Sequence, residues 1–286
     1  MSARDLLGLN VNRVEHIRQK MPALGLHRAE LFVFGREELP EVQRALDDQA
    51  ASFSIHAPVP RPVDYPYPPT WTFLNYADEG RRNVYFNLVQ ETVECAAEIG
   101  AEYVVVHFPG PITQACEEIG LGRLLDVANQ SADRLAELSA RAGVPIHIEG
   151  FGPSPFLTSE FILGVLDRHP NLAYCFDVAH NHIAHQRADF TYYEFLDELM
   201  PRIGSVHLWQ TRHYDDYATY RHIPLHPTQR PEEGWVDIER VVRTVHAARP
   251  TAPFVMEFPG WFPDPWQHLD YREGVRWLQE ILETSS

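Results

Sequence analysis

Six short segments of the chain end in side chains that bind metals or move protons. In order they are FSIHAP with His56, VVVHFP with His107, IHIEG with Glu149, YCFDVAH with Asp177 and His180, SVHLWQ with His207, and FVMEFP with Glu257. Glu149, Asp177, His207 and Glu257 together make a mixed oxygen and nitrogen donor set, which suits Mn²⁺, Zn²⁺, Co²⁺ or Mg²⁺. The absence of thiolate from that set argues against a structural zinc. One ion is the simplest reading, and the neighbouring imidazoles leave room for two or three. His180 follows Asp177 by three residues, so it reads as a further ligand or a donor to substrate oxygen. His56 and His107 read as ligands of a second metal or as a wall of the binding site. Of the two histidines in HIPLHPTQRPEEG, His226 is favoured over His222 to swing over the site, because turn residues flank it on both sides. Arg61, Trp71 and Arg212 lie in two long loops and are candidates for substrate contact. Taken singly, each of these residues also reads as an ordinary hydrogen-bonded polar side chain.

These residues need elements that bring them together. LLGLNVN (6–12) and AELFVFG (29–35) read as the first two strands, and ASFSIHAP as the third. In the third, Phe53 and Ile55 share one face and Ser54 and His56 the other. AEYVVVHF (101–108), apolar on both faces, reads as a strand buried in a parallel sheet. VPIHIEG, LAYCFDV, IGSVHLWQ and APFVMEF complete eight strands. Helical periodicity separates them: Tyr85, Leu88, Val89, Thr92, Ala96 and Ile99 form one stripe, and Leu121, Leu125, Ala128, Ala132, Leu135 and Ala136 another. Gly100 and Gly143 stand at helix ends, and Asp237 can cap the helix DIERVVRTVHAA.

Alternation of strands and helices also permits an open sheet. Polar groups on six consecutive strands would then spread along one edge at about 4.8 Å per strand, too far apart to share a metal. In a closed barrel they converge on one axis. The expected fold is therefore α/β, a single (β/α)8 barrel spanning 1–286, with its site at the C-terminal ends of the strands.

Composition narrows the function. The net charge of −16 disfavours a surface that must lie along polyphosphate, and so disfavours nucleic acid as a partner. Lys20, the only lysine, falls in the first helix, which removes a strand-borne Schiff base. Cys95, Cys116 and Cys175 show no C-x-x-C spacing and read as reduced thiols of a cytoplasmic protein. No signal-like or membrane-spanning apolar run is present. No P-loop, dinucleotide fingerprint or G-x-S-x-G elbow occurs. Oligomeric state is left open, a homo-oligomer included.

The segments SIHAP, VVVHFPG, IHIEG, FDVAH, SVHL and VMEFPG, in this order, resemble the xylose-isomerase-like TIM barrels, a superfamily of sugar and sugar-phosphate isomerases and epimerases that also includes endonuclease IV. In the isomerase and epimerase branch, the resemblance implies that Glu149, Asp177, His207 and Glu257 bind one divalent metal. The two glutamates would exchange a proton at the carbon beside a carbonyl through an enediolate, and His180 would contact substrate oxygen. In endonuclease IV, the positions of His56, His107, Glu149, Asp177, His180, His207 and Glu257 serve a trinuclear zinc cluster. That enzyme also draws a D-x-H pair from the loop after the seventh strand. Here the loop reads YRHIPLHP, without that pair. The expectation is a metal-dependent isomerase or epimerase acting on a carbohydrate-like small molecule. A multinuclear zinc phosphodiesterase or other hydrolase is the alternative, and a ligand-binding barrel without catalysis is a third.

Overall fold

The computed structural model describes residues 3–65, 72–111, 119–152, 154–186, 191–258 and 260–284. Eight parallel strands close into a barrel in sequential order: β1 (Leu7–Val11), β2 (Arg28–Leu31), β3 (Ser52–His56), β4 (Val104–His107), β5 (Ile146–Glu149), β6 (Leu172–Asp177), β7 (Ile203–Leu208) and β8 (Phe254–Met256). Closure is made by β1 against β8, with Leu7 opposite Phe254 and Leu9 opposite Met256. Among the described residues no helix is long and apolar enough to cross a membrane.

The period of two divides each strand between two environments. Ile55, Val104, Val106, Ile146 and Ile148 join the main core between strands and helices, whereas Tyr103, Val105 and Cys175 form a small separate cluster. That second cluster lies on the inward face, below His107 and Asp177 in the alternation. Polar residues also occupy this inward face: Glu30, Ser54, His56, His147 and Ser205 are all buried. Register carries the alignment from strand to strand, with His107 opposite Glu149 and Asp177 opposite His207.

The helices begin and end where local chemistry dictates. Asp78 accepts the Arg81 amide and starts Glu79–Ile99, which stops at the left-handed Gly100. Asp237 caps Ile238–Ala248 in the same way, and Gly143 closes Leu121–Ala142. Two features depart from the sequence reading, at β2 and in the second long loop, and a third, the helix after β6, adds to it. β2 ends at Leu31 rather than at residue 35, and two residues later Val33 adopts a φ of +67°, which an extended strand cannot contain. A helix, Val178–His185, starts directly from β6, so the HNHIAH run is helical. The second long loop contains its own helix, Tyr214–Tyr220, followed by a bridge from Gln210 to Ile223.

Candidate metal and acid–base centre

Glu149 stands at the centre of the barrel mouth. Its Oε2 lies 3.3 Å from His56 Nε2, 3.4 Å from His107 Nε2 and 3.4 Å from His207 Nδ1. His207 Nδ1 is also 3.4 Å from Glu257 Oε2, so one imidazole nitrogen faces a carboxylate from β5 and another from just beyond β8. All of these side chains are buried. His56 packs edge-on to His107 at 4.8 Å, and His107 lies flat on Phe151 at 4.5 Å.

The two carboxylates differ in proton affinity. Burial works against ionisation of Glu149, but the imidazoles of His107 and His207 outweigh it and hold the group well below the ordinary carboxylate range. Glu257 goes the other way: burial, reinforced by the charge of Glu149 and only partly offset by His207, pushes it up to about 8. His56 has acceptors at both ring nitrogens, the Ala57 carbonyl at Nδ1 and Glu149 at Nε2. Burial opposes its charging, yet Glu149, with the charges of Glu257 and Glu30 behind it, raises its pKa above the ordinary value.

Asp177 is differently placed. Its Oδ1 accepts the amides of Ala179 and His180 at 2.9 and 2.6 Å, which makes it the cap of the following helix. Its Oδ2 accepts the indole N–H of Trp209 at 2.7 Å. Burial, then the charge of Glu149, raises it to about 6. His180 sits among Phe151, Trp209 and Tyr217, buried and held down to about 4 by desolvation.

His222, rather than the favoured His226, is the histidine that the second long loop brings here. It stacks on Trp209 at 4.3 Å, lies edge-on to His180 at 6.0 Å, and donates its Nδ1–H to the Glu257 carbonyl at 2.9 Å. Desolvation, then the neighbouring His180, holds it down to about 4. His226 points elsewhere: its ring meets Glu273 at 3.1 Å and Thr228 at 2.8 Å, and it ties the loop to the last helix, Tyr271–Thr284. Tyr220, two residues before His222 where a D-x-H pair would place its aspartate, packs against Trp266.

The contacts of Arg212 and Arg61 are with other residues. Arg212 pairs with Asp216 at 2.7 Å and lies over the Trp235 ring, and its carbonyl accepts from His182. Arg61 lies 5.9 Å from the Tyr65 ring, with its amide on the Phe34 carbonyl. Trp71 falls outside the described residues, as does Cys116. Trp209 is fully buried and engaged with Asp177.

Two polar residues of the cluster escaped the sequence reading. Glu30, fully buried on β2, contacts His207 Nε2 at 3.1 Å, and Asn10 on β1 donates to both Glu30 and Glu257. The signal for Glu30 was a lone carboxylate between Ala29 and Leu31, both in the main core.

The donor set fits a divalent cation. Glu149 Oε1, His107 Nδ1 and His207 Nδ1 are buried without a hydrogen-bond partner. Buried polar atoms in proteins are normally satisfied, so the orphaned oxygen of Glu149 and the orphaned Nδ1 of His207 beside that carboxylate call for an additional partner. Four overlapping trios place their ligand atoms within 4.8 Å of one another: His56, His207 and Glu257; His56, His107 and Glu149; Glu149, Cys175 and His207; and Glu149, Asp177 and His180.

Residues 19–281 match the sequence model of the xylose isomerase-like TIM barrels. The chain belongs to this family. Its fold is that of a D-tagatose 3-epimerase-like protein, at a TM-score of 0.71 and 18% identity, with 98% of this chain and 96% of that one covered. It is also similar to the 3-keto-D-glucoside 4-epimerase of E. coli, at a TM-score of 0.67 and 16% identity over 96% and 99% of the two chains. Endonuclease IV from Thermus thermophilus aligns at a TM-score of 0.60 and 16% identity, covering 97% and 99%. At these identities the likeness is one of fold. Among curated proteins none matches the sequence.

Proposed function

We propose that the protein is a divalent-metal-dependent sugar or sugar-phosphate epimerase or isomerase that moves a proton at a carbon beside a carbonyl. The observation that carries this reading is the pair Glu149 and Glu257, one from β5 and one from just beyond β8, each with a carboxylate oxygen 3.4 Å from His207 Nδ1. Two carboxyl groups that flank one site can serve as base and acid in one reaction. One of the two glutamates removes the proton next to the carbonyl, and the other returns one to the resulting enediolate. Delivery to the opposite face of the same carbon gives an epimer; delivery to the neighbouring carbon gives an isomer. His180 and His222, neutral and buried, are placed to hydrogen-bond hydroxyl oxygens of the substrate. Glu149, Asp177, His207 and Glu257 would hold the cation, which supplies electrostatic stabilisation of the negative charge that develops beside the carbonyl. The sugar epimerases among its structural relatives support this choice of substrate class.

A second reading, a multinuclear hydrolase, draws support from the trio His56, His107 and Glu149. Against it stand the acidic net charge and the placement of Tyr220 on Trp266, which leaves the His222 loop without the carboxylate of a D-x-H pair.

Incubation of the Mn²⁺-loaded protein with a panel of ketoses and their phosphates in D₂O should give metal-dependent deuterium uptake at the carbon beside the carbonyl. Glu149→Gln and Glu257→Gln should each lower it by about 10²–10⁴, the range that general acid–base groups contribute. No uptake across the panel, together with nicking of abasic DNA, would reverse the order of the two readings.

A further inference from the structure

His207 has a different kind of neighbour at each ring nitrogen. On the Nε2 side lies Glu30, with Oε1 at 3.1 Å and Oε2 at 3.3 Å, and both side chains are fully buried. On the Nδ1 side lie the oxygens of Glu149 and Glu257, and no hydrogen bond of acceptable geometry forms there. We infer that Glu30 is a positioning residue for His207: it holds the Nε2 proton and so presents the Nδ1 lone pair to the space between Glu149 and Glu257.

The geometry leaves Glu30 few other roles. As a fully buried carboxylate on the second strand it is reached by Ser54, whose hydroxyl donates to Oε2 at 3.0 Å, and by Asn10, whose amide donates to Oε1 at 3.4 Å. Ser54 is its register partner on β3 and Asn10 its register partner on β1, so the carboxylate is fixed from both neighbouring strands. The Asn10 amide also reaches Glu257 Oε1 at 3.3 Å, which links the orientation of Glu30 to that of this second glutamate. An imidazole free to use either tautomer would spend part of its population with a proton on Nδ1, where a cation must bind. A carboxylate behind the ring removes that population and raises the basicity of the ligand nitrogen. Burying an ionisable group costs free energy, and a group placed solely to fill the barrel would not need to be a carboxylate.

The inference rests on the metal-binding part of the proposed function and not on the identity of the substrate. Its test therefore uses no substrate. In metal-free protein labelled with ¹⁵N-histidine, the His207 Nε2–H held by Glu30 should give a slowly exchanging downfield proton resonance, assigned by its loss in His207→Gln. Glu30→Gln, close to isosteric, should remove or shift that resonance. The same substitution should weaken Mn²⁺ binding, read by the electron paramagnetic resonance of the free ion, by about 10–100-fold, the usual cost of removing a partner behind a ligating histidine. Ser54→Ala, a smaller perturbation, should move the resonance and weaken Mn²⁺ severalfold, and it carries the test if Glu30→Gln does not fold. If folded Glu30→Gln keeps both the resonance and the wild-type Mn²⁺ affinity, the assignment is wrong. If wild-type protein shows the resonance but binds none of Mn²⁺, Co²⁺, Zn²⁺ or Mg²⁺, the positioning stands and the metal-dependent function falls.

Discussion

His147 carries a consequence for stability that follows from its depth in the barrel. It shares an inward face with Glu149 but lies one layer deeper, stacked on Tyr103 at 4.0 Å with its Nδ1 against Ser205 Oγ at 2.9 Å. Gly204 permits this, since a Cβ there would stand 2.7 Å from the imidazole. Burial holds His147 down to about 3, so the folded protein keeps it neutral at every ordinary pH. The unfolded chain takes up a proton at about pH 6.5, and between that value and about 3 it binds more protons than the folded form. The contribution of His147 to stability therefore falls as the pH drops below about 6.5. His180 and His222, both held down to about 4, act in the same direction. From pH 6.5 to 4.5, His147 alone should cost roughly 2–3 kcal/mol. Thermal unfolding of His147→Gln over this range should show a shallower loss than wild type; parallel curves would mean that His147 is not held neutral in the folded protein.

At the scale of elements, the loop after β7 is where sequence and structure parted. HIPLHP offered two histidines of equal chemistry, and only packing distinguishes them. Leu225 and His226 press against the last helix at Gly274, where a Cβ would meet the Leu225 carbonyl oxygen at 2.0 Å, and His226 pairs with Glu273 on the same helix. With its far end anchored in this way, the loop lays His222 over Trp209. Nothing in the local sequence of the loop encodes that contact, because the glycine that allows it lies about fifty residues downstream. The obstruction at Gly274 is backbone, which cannot rotate aside. Gly274→Ala should therefore displace the loop, cost about 1–3 kcal/mol as other overpacked sites do, and lower turnover along with stability. Glu273→Gln removes an ion pair whose carboxylate is half exposed and should cost under about 1 kcal/mol. Wild-type melting and activity in Gly274→Ala would show that the helix does not position the loop.

For the whole molecule, the closed barrel was legible because its inner face is written in polar residues at strand ends, and convergence of six such ends demands closure. Glu30 and Asn10 extend that row to β1 and β2, and they were missed because the sequence reading carried these strands on to residues 12 and 35, whereas each residue stands next to last in its strand. The gathering has an electrostatic cost: Glu30, Glu149, Asp177 and Glu257 bring four buried carboxyl groups into one barrel, in a chain whose net charge is already −16. Imidazoles offset part of this, and the orphaned Glu149 Oε1 and His207 Nδ1 mark what they leave uncompensated. A cation bound only by the folded state stabilises it by mass action, about 2.7 kcal/mol at a hundred times its dissociation constant. In a protein of this size that corresponds to roughly 4–5 °C in Tm. Chelator-stripped protein should show this rise on titration with at least one of Mn²⁺, Co²⁺, Zn²⁺ or Mg²⁺. Glu149→Gln, which removes the central carboxylate, should melt nearly independently of added metal. A Tm of the wild-type protein that none of the four ions moves would leave the carboxylates as a structural network and remove the metal from the proposed chemistry.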